Sequence, residues 1–192
     1  VRREVRPVRC QLELLKSEML LEEASIASTF GMYGAGRIPS PEKADAVLAA
    51  AVTDEQKVVA NRLVEKSKYY TIAHELAQLA ATKGPCGNEG ERHFVVTSGG
   101  GPSIMEAANR GAVETGAETI GLNIVLPHEQ APNAYVTPHL SFQFHYFALR
   151  KMHFLLRARA VAVFPGGFGT FDEFFELLTL IQTGKMEPIP SL

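Results

Sequence analysis

The sequence predicts an α/β protein built on a doubly wound parallel sheet with helices on both faces. Three observations lead there. Short apolar runs alternate with segments of helical periodicity, two of those runs end in glycine-rich turns that open helices, and residues 42–83 form a long Ala-, Glu-, Lys- and Leu-rich stretch without Gly or Pro. A chain that alternates strand and helix lays its helices over the sheet as crossovers, and the strands so connected run parallel and are covered on both sides.

The elements follow in order. Over residues 10–23, Leu12, Leu15 and Met19, with the pair Leu14 and Leu21, recur at helical intervals among Glu and Lys, the pattern of an amphipathic helix outside the main repeat. Residues 1–24 are therefore an N-terminal helical extension, suited to a subunit contact, and residues 25–192 the main domain. A strand is expected over 25–33 and helix across 41–83, with one break whose position the composition does not mark. The cluster Lys83-Gly84-Pro85-Cys86-Gly87-Asn88-Glu89-Gly90 ends that region as a turn. A strand over 93–97 leads to a helix whose first turn Pro102 suits, and a strand over 119–126 follows. Residues 127–138 hold three prolines and read as a long loop of the kind that often covers a substrate. Leu140, Phe142, Phe144 and Tyr146 alternate with Ser141, Gln143 and His145 as in a half-buried strand; a helix over 148–158, a strand over 160–164 and a last helix complete the order. The chain stops at Ser191-Leu192, where a helix exit would normally feed another strand, so a further C-terminal segment is expected.

Composition narrows the function. With 192 residues, 46% of them hydrophobic and 21% charged, one domain with one sizeable core is expected. A formal net charge of -2 supplies none of the concentrated basic excess that a nucleic-acid partner needs, but leaves room for a small anionic ligand at a local site. Cys10 and Cys86 have neither metal-ligand spacing nor the pattern of a disulfide framework, which points to a reducing, cytoplasmic setting. No run approaches the roughly 20 apolar residues of a membrane span, and no signal-peptide core follows the charged start.

The chemistry concentrates in two loops. Val161-Ala162-Val163-Phe164 runs into Pro165-Gly166-Gly167-Phe168-Gly169-Thr170 and then into a helical pattern. Glycines let backbone N–H groups approach a phosphate, and a helix start adds unpaired donors and partial positive charge. Phe94-Val95-Val96-Thr97 leads in the same way into Ser98-Gly99-Gly100-Gly101-Pro102, and a third strand end, Gly34-Ala35-Gly36-Arg37, adds small residues and a cation. Such loops at the carboxyl ends of parallel strands converge on one crevice. Arg150 and Lys151 begin a helix just before the glycine-loop strand and are candidates to neutralise a phosphate or orient a carboxylate; the plainer alternative is a solvated helix end. Glu173 sits at the mouth of the loop, although Thr170-x-x-Glu173 also matches a capping box. Asp172 and Glu176 read as solvated helix residues favoured by the dipole. His74-Glu75 lacks the second His of a zinc-protease helix, the histidines form no ligand cluster, and neither a P-loop nor a Gly-x-Ser-x-Gly elbow occurs.

Arg150-Lys151 followed by Pro165-Gly166-Gly167-Phe168-Gly169-Thr170-Phe171-Asp172-Glu173 resembles the signature of the Lonely Guy family, an Arg-Lys pair and then PGGxGTxxE. The loop at residues 98–107 resembles that family's other glycine loop, residues 33–37 its first strand end, and residues 121–130 its longer bacterial branch, so the resemblance covers roughly residue 25 to the end. It implies a Rossmann-like fold, a homodimer or higher homo-oligomer with sites near the subunit interface, and hydrolysis of a nucleoside 5′-monophosphate to free base and ribose 5-phosphate. Members have been labelled lysine decarboxylase, but nothing here resembles the pyridoxal-phosphate lysine motif that such an activity requires. The resemblance makes Arg150 and Glu173 catalytic. Gly99, Gly100, Gly101, Gly166, Gly167, Gly169 and Thr170 would bind phosphate and substrate, with Lys151, Gly34 and Arg37 beside them, and no metal or organic cofactor is implied. Phe147-Ala148-Leu149 stands where many short members have Met-His-x, which favours AMP or another purine nucleotide over cytokinin nucleotides. The rival reading is a non-catalytic nucleotide or molybdenum-cofactor carrier on the same fold.

Overall fold

A computed structural model describes residues 3–84, 90–125 and 131–192. After a 3-10 turn at Arg3–Val5, helix α1 spans Arg6–Glu23 and leads to strand β1, Thr29–Tyr33. Helices α2, Pro41–Ala50, and α3, Asp54–Lys83, precede β2, Val95–Ser98, and α4, Ile104–Glu114. Then come β3, Ile120–Ile124, a 3-10 turn at Pro138–Leu140, β4, Ser141–Phe144, α5, Phe147–Leu156, β5, Ala158–Val163, and α6, Phe168–Gln182. The five strands form one sheet in the order β4-β3-β2-β1-β5, every pairing parallel.

Both faces of this sheet are covered, and β1 and β2 accordingly bury every residue. On one face Tyr70, Ala73 and Ala77 of α3 and Ile104, Ala107, Ala108 and Ala112 of α4 pack over Phe30, Met32, Val96 and Ala162. On the other, Leu21 of α1, Phe154 and Leu155 of α5 and Leu177 of α6 pack over Tyr33, Ile120, Leu122 and Val161. Because β1 lies between β2 and β5, the winding reverses beside β1, and the loops leaving β1 and β5 part to opposite faces.

The break in the long helical region falls at residues 51–53. Thr53 Oγ1 accepts from Gln56 N at 3.2 Å while Gln56 Oε1 accepts from Thr53 N at 3.1 Å, a capping box that starts α3 afresh. Pro102 lies before α4 rather than in its first turn, because Ser103, with φ of 69°, is the N-cap. Strand β1 is shorter than its apolar run, since residues 25–28 approach it through the isolated bridge from Ile26 to Arg92, whereas β5 begins at Ala158, two residues before the expected start, because α5 ends at Leu156. The chain end adds to the outer edge of β5, where Val161 N donates to Pro190 O at 3.0 Å and Val163 N to Leu192 O at 2.8 Å. Residues 85–89 of the expected turn, with Cys86, and residues 126–130, the end of the expected β3 strand and the start of the loop, lie outside the described residues. Among the described residues, no helix is long and apolar enough to cross a membrane.

Helix α1 is bolted to α5 by polar contacts. Ser17 Oγ and His153 Nε2 are 2.8 Å apart, and Arg157 Nη1 reaches Glu18 at 2.7 Å. Helices α3 and α4 approach closely because Gly111 faces the carbonyl oxygen of His74, and a Cβ at Gly111 would collide with that backbone. Gly111→Ala should therefore destabilise the chain by about 1–3 kcal/mol despite alanine's better helix propensity, because the overlap is with backbone that cannot swing away. Urea unfolding checks this: the midpoint should fall, and a rise would mean that α3 yields at no cost.

Candidate functional site

Three loops meet at the carboxyl ends of β1, β2 and β5. Ala35 N donates to Pro165 O at 3.1 Å and Phe164 N to Tyr33 O at 2.8 Å, which zips the exits of β1 and β5 together. Ser103 ties the β1 and β2 exits, its hydroxyl accepting from Ile38 N at 2.8 Å and donating to Ile38 O at 2.5 Å. Gly34 makes this approach possible, since a Cβ there would sit 2.8 Å from Ile104 Cβ.

The loop at residues 99–101 is held by an amide network that the sequence pattern did not single out. Gly100, at φ of 69°, donates its N–H to Ser98 Oγ at 3.0 Å, and Ser98 Oγ donates to Asn109 Oδ1 at 2.7 Å. Asn133 Nδ2 bridges Asn109 Oδ1 at 2.9 Å and Gly101 O at 3.0 Å, and Asn133 N donates to Gly100 O at 2.8 Å. The available signal was Asn109 itself, an amide on the Ala107, Ala108, Gly111 and Ala112 face of α4, fully buried in the fold.

Gly167 is the N-cap of α6 and supplies no side chain to close it. The first N–H groups of a helix have no carbonyl one turn behind them, so this end presents bare donors. Among the described residues, a Cβ built on Gly167 or Gly169 would meet nothing within 4 Å, so both face open space there, whereas one on Gly166 would strike the side chain of Thr170. The capping box at Thr170 and Glu173 is not formed, because α6 begins at Phe168 and so places Thr170 inside the helix, and Glu173 turns to another partner.

That partner is Arg150. Its Nη1 lies 2.7 Å from Glu173 Oε1, with the two side chains only 11% and 12% exposed. Arg150 Nε also donates to Leu122 O in the middle of β3 at 2.7 Å, and its guanidinium carbon lies 4.9 Å from the centre of the Phe154 ring. A Cβ on Gly99 would lie 2.8 Å from Arg150 Nη2, so glycine at that position makes room for the cation beside the loop. Burial pushes the Glu173 carboxyl above the usual carboxylate range, and the adjacent Arg150 guanidinium only partly opposes that shift. Tyr33, packed edge-on against Phe154, keeps a buried hydroxyl without a hydrogen-bond partner among the described residues, and its pKa is raised by burial first and by Glu173 second.

Other predicted residues go elsewhere. Lys151 is engaged by α6, 3.2 Å from Asp172 Oδ1 and 3.0 Å from Glu176 Oε2, and the Glu176 contact leads the rise in its pKa. Asp172 and Glu176 are thus ion-pair partners of Lys151 rather than merely solvated. Arg37 is exposed and lines a cavity of about 200 Å³ with Ser40, Lys43 and Tyr70, flanking the second loop. Among the described residues no group of three or more His, Cys, Asp or Glu side chains is arranged to hold a metal ion.

Residues 105–192 match the family model described as "Possible lysine decarboxylase". The match spans the C-terminal 88 of the 192 residues. The family segment contains Arg150, Glu173 and the loop at 165–170, while the loop at 99–101 precedes it. No curated protein matches the chain. Among solved structures, the structural-genomics target TM1055 is 23% identical, with a TM-score of 0.52 over 80% of this chain and 69% of that one. The Moco carrier protein of Chlamydomonas reinhardtii is 20% identical, with a TM-score of 0.51 over 86% of this chain and 75% of its own. The molybdenum cofactor binding protein of the phototrophic bacterium Rippkaea orientalis is also 20% identical, at 0.52 over 85% and 75%. All three share the fold.

The raised carboxyl of Glu173 has a testable sign. A group that holds its proton more tightly when folded contributes stability that is complete below the unfolded pKa, about 4.3 for Glu, and is lost as pH rises through the folded value. The melting temperature of the wild type minus that of Glu173→Gln should therefore fall as pH is raised from below that range to neutrality. A flat difference would mean that burial does not control this group.

Proposed function

We propose that this protein hydrolyses the N-glycosidic bond of a nucleoside 5′-monophosphate, with AMP or a related purine nucleotide preferred, releasing free base and ribose 5-phosphate. The observation that carries the reading is the buried Arg150–Glu173 pair at the junction of two glycine loops. The match of residues 105–192 to the family model supports it, as does the motif's resemblance to the Lonely Guy family, whose members perform this reaction.

The chemistry follows from charge. Breaking the bond between C1′ and the base leaves cationic character on the ribose, so a carboxylate beside the sugar lowers the barrier and helps aim the attacking water. Water supplies hydroxide to C1′ and a proton to the departing base. In this reading the open N–H groups around Gly167, Gly169 and Thr170 hold the 5′-phosphate, with Gly166 shaping the turn and Gly99, Gly100 and Gly101 alongside. Glu173 bonds the ribose hydroxyls and stabilises the cation. Arg150 orients Glu173 and substrate; Lys151 steadies α6 through Asp172 and Glu176, and Gly34 and Arg37 border the crevice. No resident metal or organic cofactor is called on. Phe168, Phe171 and Phe175, which are 94%, 53% and 58% exposed beside this site, suit a homodimer contact that brings a second subunit to its edge.

The rival is a non-catalytic carrier, and two solved structures of the same fold are described as molybdenum-cofactor proteins. Incubation with AMP, GMP, CMP, UMP and a cytokinin monophosphate, followed by chromatography of free base and ribose 5-phosphate, separates the two. Base release should be fastest from a purine nucleotide. Glu173→Gln and Arg150→Ala should each lower kcat by about 100-fold or more, the scale of a lost electrostatic contact in a transition state. Binding of these nucleotides without release, or near-normal turnover by Glu173→Gln, would reject the mechanism.

A further inference from the structure

Helix α1 has two apolar faces, and the domain uses only one. Ser17 and Leu21 on its inner face are buried against the domain. On the outer face Val5, Val8, Leu12, Leu15 and Met19 follow one another at intervals of three, four, three and four residues and are 41%, 53%, 59%, 54% and 50% exposed. Alternating three- and four-residue spacing is the seam of a coiled coil, in which apolar side chains meet those of a second helix.

Charge decides what covers that seam. Exposed Arg3 and Arg6 stand at its start and exposed Glu22 and Glu23 at its end, and none of the four forms an ion pair among the described residues. A second α1 running parallel would set like charges together. An antiparallel one sets Arg3 and Arg6 against the partner's Glu22 and Glu23, aligns the helix dipoles favourably, and stacks Val8 on the partner's Met19 and Leu12 on the partner's Leu15.

We propose that the outer face of α1 pairs antiparallel with α1 of a second copy of this chain about a two-fold axis. The interface is isologous, so each contact occurs twice. Two heptads are too few for a free-standing coiled coil, but this helix is already held in place by Ser17 on His153 and Glu18 on Arg157, so pairing bears little ordering cost. This contact is separate from the aromatic surface beside the glycine loop and does not rest on the proposed reaction.

Disulfide trapping in the full chain tests it. Positions 8 and 19 lie about 16 Å apart along one helix, too far for an internal bridge. In a chain carrying Cys10→Ser and Cys86→Ser, Val8→Cys combined with Met19→Cys should give a covalent dimer on a non-reducing gel after mild oxidation, while each single cysteine variant runs as the cysteine-free chain does. Cross-linking by either single variant would mean a parallel pair, and no cross-linking in the double variant would mean that something other than a second α1 covers the face; either overturns the proposal. As a second readout, Leu12→Glu with Leu15→Glu should lower the sedimenting mass by one association step while the far-ultraviolet circular dichroism keeps its helical content, since within one chain both side chains are exposed. An unchanged mass would equally reject the seam.

Discussion

A guanidinium that has lost most of its water needs a charge partner and acceptors inside the protein, or its burial is prohibitive. Arg150 finds them on three separate elements: the Glu173 carboxylate on α6, the Leu122 carbonyl on β3 and the ring of Phe154 on its own helix. Gly99 of the second glycine loop makes room for the same group. Strand β3, α5, α6 and the loop after β2 are therefore registered against one cation, and the relation of the two glycine loops follows from it.

That registration is possible because the winding reverses at β1. With β5 returning to the far side of β1, the exits of β1, β2 and β5 lie next to one another although their sequence positions are widely spread. Backbone bonds between Ala35 and Pro165 and the double contact of Ser103 with Ile38 then draw the exits together without side chains of any bulk. The space left above Gly167 and Gly169 is thus a property of three strands meeting, not of the loop alone.

The second loop owes its shape to a different force. Ser98, Asn109 and Asn133 satisfy one another and the backbone of Gly100 and Gly101 inside a dry region, where every unmet polar group would carry a penalty. Such a network is rigid because no member can leave without stranding the others. The outer face of α1 presents the opposite case, a helix whose inner side is held against α5 and whose apolar outer side has no partner among the described residues.

The residues alone determined the parallel α/β class, the element order and the two glycine-rich turns, and singled out Arg150 and Glu173 as candidate site residues, because periodicity, glycine placement and motif spacing are local properties. Helix ends depended on contacts: α3 restarts where Gln56 closes on Thr53, and α4 starts after Ser103 because that residue binds Ile38, 65 positions away. The choice between a capping role and an ion pair for Glu173 was likewise open in the sequence, since Thr170-x-x-Glu173 suits both. Only the tertiary structure decided it, by burying a cation from α5 beside that carboxylate, and it similarly gave Lys151 to Asp172 and Glu176 and buried Asn109 under the glycine loop. Side-chain partners come from elements distant along the chain, and a sequence records which groups need partners without recording which partners folding brings near.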